Sequence, residues 1–185
     1  ADRAIHPHDE REDAPGVGGM SEDTVELREP VLDDFERIFP LTQDPAANTM
    51  AKIFPRTREA FAKQWERMVH GDDTQTRLIV LEGEVVGCIN SFQVEDETQV
   101  GYMIAQAHWG KGIGSRALKL FIELFEHRPL IAHVAKSNIG SCRILENKHP
   151  PYAPAIWLPR DCRDFANQDL MQKKTLILEF RFDKE

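Results

Sequence analysis

The chain has 185 residues, of which 41% are hydrophobic and 29% are charged, and its formal net charge at pH 7 is -8. This composition is typical of a globular domain, and the length suits one domain with a tail. The sequence contains no run of about 18 apolar residues and no basic start followed by an apolar stretch, so we expect neither a membrane span nor a secretory signal. The acidic balance and the lack of a basic stripe argue against nucleic acid as a partner.

Three cysteines are too few and too scattered for a disulfide framework or a zinc site. They are Cys88, Cys142 and Cys162. Free thiols in a reducing compartment are the plain interpretation, so we expect a cytoplasmic protein without a structural metal.

Residues 1–23 combine seven acidic and two basic residues with several prolines and glycines. Such a segment cannot bury enough apolar surface to offset the entropy lost on ordering. We therefore predict a disordered acidic leader over 1–23 and a folded domain over 24–185. A native start at Met20 is an alternative.

The domain opens with a strand followed by helices. Val25, Leu27 and Val31 alternate with polar residues and predict a short strand. Asp33 is expected to cap a helix that ends near 41, and a second helix is predicted over 58–69 from its 3.6-residue apolar period.

The later elements alternate between strands and helices. In chain order we predict a hairpin of strands 77–81 and 85–93, a strand over 98–104, a glycine-rich loop over 110–114, a helix ending near 127, a strand over 130–134, a helix over 138–147, a strand over 152–158, a loop over 159–172 and a last strand over 176–182. This order predicts an α/β or α+β domain with a mixed sheet.

The stretch Trp109-Gly110-Lys111-Gly112-Ile113-Gly114-Ser115 lies between a predicted strand and a predicted helix. Glycines there let backbone N–H groups approach a ligand, and a helix start favours an anion such as phosphate. The spacing matches neither the Walker loop nor the dinucleotide fingerprint. Taken alone, the glycines are equally compatible with a simple turn before a helix.

Together with its neighbours, this stretch resembles the GNAT superfamily of acyl-CoA-dependent N-acyltransferases, which carries Gln/Arg-x-x-Gly-x-Gly/Ala before its third helix. Trp109 stands at the Gln/Arg position. Gly87 resembles the third strand of the family, Gly101-Tyr102-Met103-Ile104 the fourth, and Lys136-Ser137-Asn138-Ile139-Gly140-Ser141 the start of the fourth helix. The resemblance covers about 24–148 and is greatest to the branch that acetylates N-terminal amines of ribosomal proteins.

The resemblance implies a single GNAT-type domain with a mixed, mostly antiparallel sheet, splayed between strands 4 and 5, with helices on both faces. It implies acetyl-CoA as cosubstrate and no metal. The residues implied to bind the pyrophosphate are Trp109, Gly110, Lys111, Gly112, Ile113, Gly114 and Ser115. Met103 and Ile104 would pair with the pantetheine like an added strand. Asn138 would bond to the pantetheine arm, cap its helix, or do both.

The usual catalytic positions of the family depart from its pattern. The position of the general base, often Glu, is Gln99, which cannot accept a proton. We predict Glu97 as its substitute, with Glu95 and His108 as alternatives. The alternative for all three is a solvent-exposed loop residue without a catalytic role.

The usual acid of the family, a Tyr, is replaced by Leu145. We predict Ser141 in its place, near the thioester sulfur. A first-turn hydroxyl that merely satisfies a backbone N–H is the alternative for Ser141.

The predicted function is N-acetyltransfer from acetyl-CoA to a primary amine, on a small molecule or a protein N-terminus, by direct attack in a ternary complex. A GNAT-fold sensor or interaction module that binds CoA without catalysis is the alternative, favoured by Gln99 and Leu145. Homodimers are frequent in the family, so a homodimer is a further expectation.

Overall fold

The computed structural model describes residues 24–71, 74–125, 129–146 and 177–182, the last range through its backbone. The strands are β1 (Val25–Arg28), β2 (Thr76–Leu81), β3 (Glu84–Val94), β4 (Glu97–Ile104), β5 (Leu130–Ala135) and β6 (Ile177–Phe182). The helices are α1 (Phe35–Thr42), α2 (Pro45–Ala51), α3 (Arg58–His70), α4 (Ile113–Leu124) and α5 (Ile139–Glu146).

The strands form one six-stranded sheet in the order β1-β2-β3-β4-β5-β6. Neighbouring strands are antiparallel except β4 and β5, which are parallel. These two pair at Thr98 with Leu130 and at Gln99 with Ile131, and the described residues give no further pair, although β4 continues to Ile104. The strands therefore part beyond Gln99. The predicted fold class, a mixed and mostly antiparallel sheet splayed between strands 4 and 5, is confirmed.

Apolar side chains cover both faces of the sheet. On one face, which we call the α4/α5 face, Leu118 and Phe121 of α4 and Cys142 of α5 pack with strand residues such as Val100. On the other, the α1/α3 face, helices α1 and α3 pack around Trp65. Successive residues of a strand point to opposite faces, so each residue of β4 can be assigned to one of them.

The entry into α1 differs from the prediction. Asp34, not Asp33, is the buried residue, and its carboxylate accepts two hydrogen bonds from Arg28, one from Arg37 and one from the backbone N–H of Val31. These donors lower the pKa of Asp34 to about 2, with the hydrogen bond from Arg28 as the largest cause. The strand ends at Arg28, and Val31, expected to continue the alternation, is exposed.

Helix α2 was not predicted. Its first residue is Pro45. Asp44, just before it, caps the helix, because its side chain accepts hydrogen bonds from the amides of Ala46 and Ala47. None of its residues is buried, so the sequence carries no apolar period there. The capping Asp44 and Pro45 are the sequence features that indicate the start of this helix. The helix predicted over 58–69 is present as α3, and Thr57 caps it by accepting a hydrogen bond from the amide of Ala60.

Cys88 and Cys142 are free, as predicted. Both are buried, and burial raises the pKa of both thiols, that of Cys88 to about 12. The leader over 1–23, Cys162, the strand over 152–158 and the loop over 159–172 lie outside the described residues. The domain boundaries stay predictions. No helix in the described part of the chain is long and apolar enough to cross a membrane.

Candidate active site

The glycine-rich loop ends at the start of α4, as predicted. Gly110 and Gly112 have φ values of 77° and 74°, in the left-handed region that favours glycine. A Cβ at either residue would meet no atom within 4 Å, so the space beside both is open. Ile113, at 1% exposure, anchors the first turn of the helix in the core. The loop thus presents backbone to an open space at the positive end of a helix, which suits an anion.

Gly114 has a packing role. A Cβ there would lie 2.6 Å from Cδ1 of Ile144 and 3.2 Å from Cδ1 of Ile104. The first turn of α4 therefore lies directly against α5 and the end of β4. The third glycine brings these elements together beside the gap in the sheet.

Trp109 ties the loop to β4. Its indole Nε1 donates to the carbonyl of Ile104 at 2.8 Å, and its amide donates to the carbonyl of Gln106 at 3.1 Å. Both N–H groups of Trp109 are thus used inside the protein. Trp109 therefore anchors the loop to the end of β4, and neither of its N–H groups is left for a ligand.

The pairing of β3 with β4 decides which backbone groups face the gap. The amide of Ala105 donates to the carbonyl of Val86, and Met103 lies opposite Cys88 in the same register. Because antiparallel bonding alternates along a strand, Met103 turns its amide to β3, whereas Ile104 and Tyr102 turn theirs to the gap. Of the two residues predicted to pair with the pantetheine, Ile104 therefore turns its amide to the gap, as Tyr102 does. Met103 does not, and its side chain packs on the α1/α3 face.

Helix α5 begins at the gap with Asn138 as its cap. Its side-chain oxygen accepts from the amide of Ser141 at 3.1 Å, and its carbonyl accepts from the amide of Cys142 at 2.9 Å. The capping alternative for Asn138 is therefore realised. The side-chain NH₂ of Asn138 keeps two donors, so the predicted bond to the pantetheine arm is compatible with the cap.

Ser141 is half-buried and lies beside Tyr102. The Tyr102 hydroxyl is buried, and it makes no hydrogen bond with any described residue. Burial raises the pKa of Tyr102 to about 12, and the neighbouring Ser141 side chain partly offsets this effect. The two hydroxyls are therefore neighbours. Sequence reasoning had not singled out the side chain of Tyr102.

Glu97 lies on the α1/α3 face at the start of β4. Its Oε2 accepts from Nε2 of buried Gln99 at 3.2 Å and lies 4.0 Å from Nε2 of His133, whose side chain is 5% exposed. Five residues separate Glu97 from Tyr102, roughly 17 Å along a strand. His133 is two residues beyond Ile131, and so is level with the point where the strands part.

The remaining candidates lie elsewhere. Glu95 is exposed in the β3–β4 turn with a φ of 52°, so the solvated alternative fits it. His108 is half-buried in the turn before the glycine loop. Leu145 is buried in the core of the α4/α5 face. No group of three or more metal-ligating side chains occurs within the described ranges.

Comparison with known families identifies the class of protein. The family described as acetyltransferase (GNAT) domain matches residues 24–148, which is most of the chain. The chain belongs to this family. The predictions of a GNAT domain and of an acetyltransferase are confirmed at the level of the class.

Solved structures share the fold, whereas no protein of curated function matches the chain. A spermidine N-acetyltransferase from Vibrio cholerae, in complex with CoA and spermine, has a TM-score of 0.67 at 15% identity over 86% of this chain and 95% of its own. RimL, a ribosomal L7/L12 alpha-N-protein acetyltransferase, has a TM-score of 0.67 at 15% identity over 87% and 91%. An acetyltransferase from Thermus thermophilus has a TM-score of 0.66 at 16% identity over 89% and 100%.

Proposed function

We propose that this protein transfers the acetyl group of acetyl-CoA to a primary amine, of a small molecule or a protein N-terminus, by direct attack in a ternary complex. One observation carries the proposal. The glycine loop, with open space beside Gly110 and Gly112, is bonded through Trp109 to Ile104 at the end of β4, the strand that parts from parallel β5. CoA matches these two features, because its pyrophosphate suits the loop and its extended, amide-containing arm suits the gap.

The chain's residues fit both parts of that ligand. Backbone amides from Gly110 to Ser115, at the start of α4, would hold the pyrophosphate. The gap-facing amides of Tyr102 and Ile104 would bond to the arm as an added strand does. Asn138 would donate from its side-chain NH₂. When bound, acetyl-CoA supplies an acetyl group activated as a thioester.

The sheet places the two proposed catalytic residues on opposite faces. On the α1/α3 face, the proton lost by the amine passes toward Glu97, with His133 beside Glu97 and level with the point where the strands part. On the α4/α5 face, Ser141 in the first turn of α5 donates a hydrogen bond to the departing sulfur. The amine thus enters from one face, and the leaving group is stabilised from the other.

A CoA-binding protein without catalysis is the second candidate. The buried amide of Gln99 and the buried side chain of Leu145 favour it, because neither can exchange a proton at the reacting atoms. Turnover of any amine in a broad panel distinguishes an enzyme from a binding module.

Acetyl-CoA binding by calorimetry, with Gly112→Asp beside the wild type, tests the site. Gly83→Asp is the matched control, because Gly83 has a φ of 83° and a Cβ added there would meet no atom within 4 Å, in a separate turn between β2 and β3. We expect wild type and control to bind with a Kd of about 1 μM, or about -8 kcal/mol, and Gly112→Asp not to bind. Absence of wild-type binding at millimolar ligand would refute the proposal.

A further inference from the structure

One side chain connects the gap to Ser141. Tyr102 turns its amide to the gap, and its side chain packs on the α4/α5 face with Ile104 and α5. Ser141 lies beside its hydroxyl. Tyr102 is therefore next to the proposed thioester through its backbone and next to Ser141 through its side chain.

The Tyr102 hydroxyl has an unusual environment. Its oxygen is shielded from solvent, yet it forms no close hydrogen bond with any residue that the structure describes. Buried hydroxyls are normally hydrogen-bonded, and those that are not call for an explanation. With its pKa near 12, the phenol keeps its proton at neutral pH and acts as a donor. Ser141 offers the nearby acceptor.

We propose that Tyr102 is a positioning residue, whose hydroxyl donates a hydrogen bond to Oγ of Ser141 and thereby directs the Ser141 hydroxyl toward the sulfur of the bound thioester. This inference rests on the proposed function. A serine hydroxyl has one donor and two acceptor lone pairs. When Tyr102 fills a lone pair, the single proton of Ser141 is left for the sulfur. Leu145, buried in the same core, supplies no donor.

The reaction step balances without ionising either hydroxyl. The amine nitrogen bonds to the acetyl carbon, the carbon–sulfur bond breaks, and its electron pair goes to sulfur. The amine proton leaves on the α1/α3 face toward Glu97. Tyr102 and Ser141 keep their protons and stabilise the thiolate charge by hydrogen bonding, and the released thiolate takes its proton from water.

Tyr102→Phe tests the proposal, because it removes one oxygen and keeps the ring in the core. We expect kcat to fall about tenfold, the loss of one hydrogen bond to a developing charge, with the Kd of CoA changed less than threefold. Ser141→Ala should lower kcat at least as much. The double variant should show little further loss, because both residues act through one hydrogen bond to sulfur.

A second readout does not depend on turnover. The thiol pKa of bound CoA is measured from thiolate absorbance, with desulfo-CoA as the blank, in the full-length protein. Tyr102→Phe and Ser141→Ala should each raise this pKa by about one unit. Thr76→Val is the matched control: it also removes a buried hydroxyl without a close partner among the described residues, but on the α1/α3 face of β2. It should leave the thiol pKa unchanged.

The outcomes separate this inference from the proposed function. If the wild type binds CoA and turns over, and Tyr102→Phe matches it in kcat and thiol pKa, the positioning role is wrong and the proposed function stands. An unchanged thiol pKa in Ser141→Ala overturns the role even where Tyr102→Phe fails to fold. A wild type that does not bind CoA overturns both.

Discussion

Trp109→Phe tests whether the hydrogen bond between the glycine loop and β4 preorganises the ligand site. The change keeps an aromatic ring and removes the indole N–H that donates to the carbonyl of Ile104 at 2.8 Å. A hydrogen bond of this kind contributes about 1 kcal/mol net to stability. Because the bond joins the two parts of the proposed CoA site, its loss adds an ordering cost to binding.

The expected effect follows from that magnitude. If the full 1 kcal/mol is lost on binding, the Kd of acetyl-CoA rises about fivefold. The loop starts α4, and Ile113 holds that helix in the core, so the fold itself should persist. We therefore expect weaker binding together with a modest fall in the free energy of unfolding.

The chain provides a matched control in Trp65→Phe. The indole of Trp65 likewise donates to a backbone carbonyl, that of Leu32 at 3.2 Å, and the side chain is 1% exposed. It lies on the α1/α3 face, in α3, away from the glycine loop. This variant should lose at least as much stability and keep wild-type affinity.

Calorimetric titration with acetyl-CoA and thermal unfolding of both variants provide the measurement. The reasoning fails if Trp109→Phe binds acetyl-CoA as tightly as the wild type. It fails equally if Trp65→Phe loses as much affinity, because the effect would then reflect general destabilisation and not the loop.

Other variants test stability. The pKa of Asp34 lies near 2, below its ordinary 3.8, so its ion pairs stabilise the fold above pH 3.8, and this contribution, about 2 kcal/mol, is lost as the pH falls toward 2. Asp34→Asn should lower the melting temperature at pH 7 and flatten that acid dependence in denaturant titrations. Gly87→Ala should lower the free energy of unfolding in denaturant titrations by about 1–3 kcal/mol, because its Cβ would lie 2.1 Å from the carbonyl oxygen of Met103. Gly101→Ala should lower it less, because its Cβ would meet only the edge of the Phe92 ring at 3.3 Å.

The glycine loop and α4 could be predicted because their signals are local. Gly110 and Gly112 adopt the left-handed conformation that glycine favours, and α4 shows its apolar period in the sequence itself. The parting of β4 from β5 is different. No local pattern encodes it, and the prediction came from the family resemblance, which depends on the order and spacing of several motifs.

The entry into α1 shows where local signals fail. Asp33 and Asp34 are adjacent acidic residues, and either suits a helix start. In the structure Asp34 is the buried acidic residue at the helix start, because Arg28, at the end of β1, donates hydrogen bonds to its carboxylate. Helix α2 escaped prediction for another reason: with no buried residue, it depends on the Asp44 cap more than on an apolar face.

The side-chain partners in the site depend on tertiary packing. Strand alternation is enough to put Tyr102 on one face with Val100 and Ile104, but only the docking of α5 brings Ser141 to its hydroxyl. Likewise, Trp109 stands where the family has Gln or Arg, and the structure shows its indole bonded to the strand that precedes it. The sequence predicts the element on which each residue lies, whereas only the folded structure shows its side-chain partners.

The sheet divides the proposed chemistry between its two faces. Glu97, Gln99 and His133 lie on the α1/α3 face, where helices α1 to α3 are also found. Tyr102 and Ser141 lie on the α4/α5 face, with the glycine loop at the end of the same gap. Residues proposed to contact the amine could therefore change without disturbing those proposed to stabilise the sulfur. Under the proposed function, this separation would let a chain with Gln99 at the usual base position keep its CoA site.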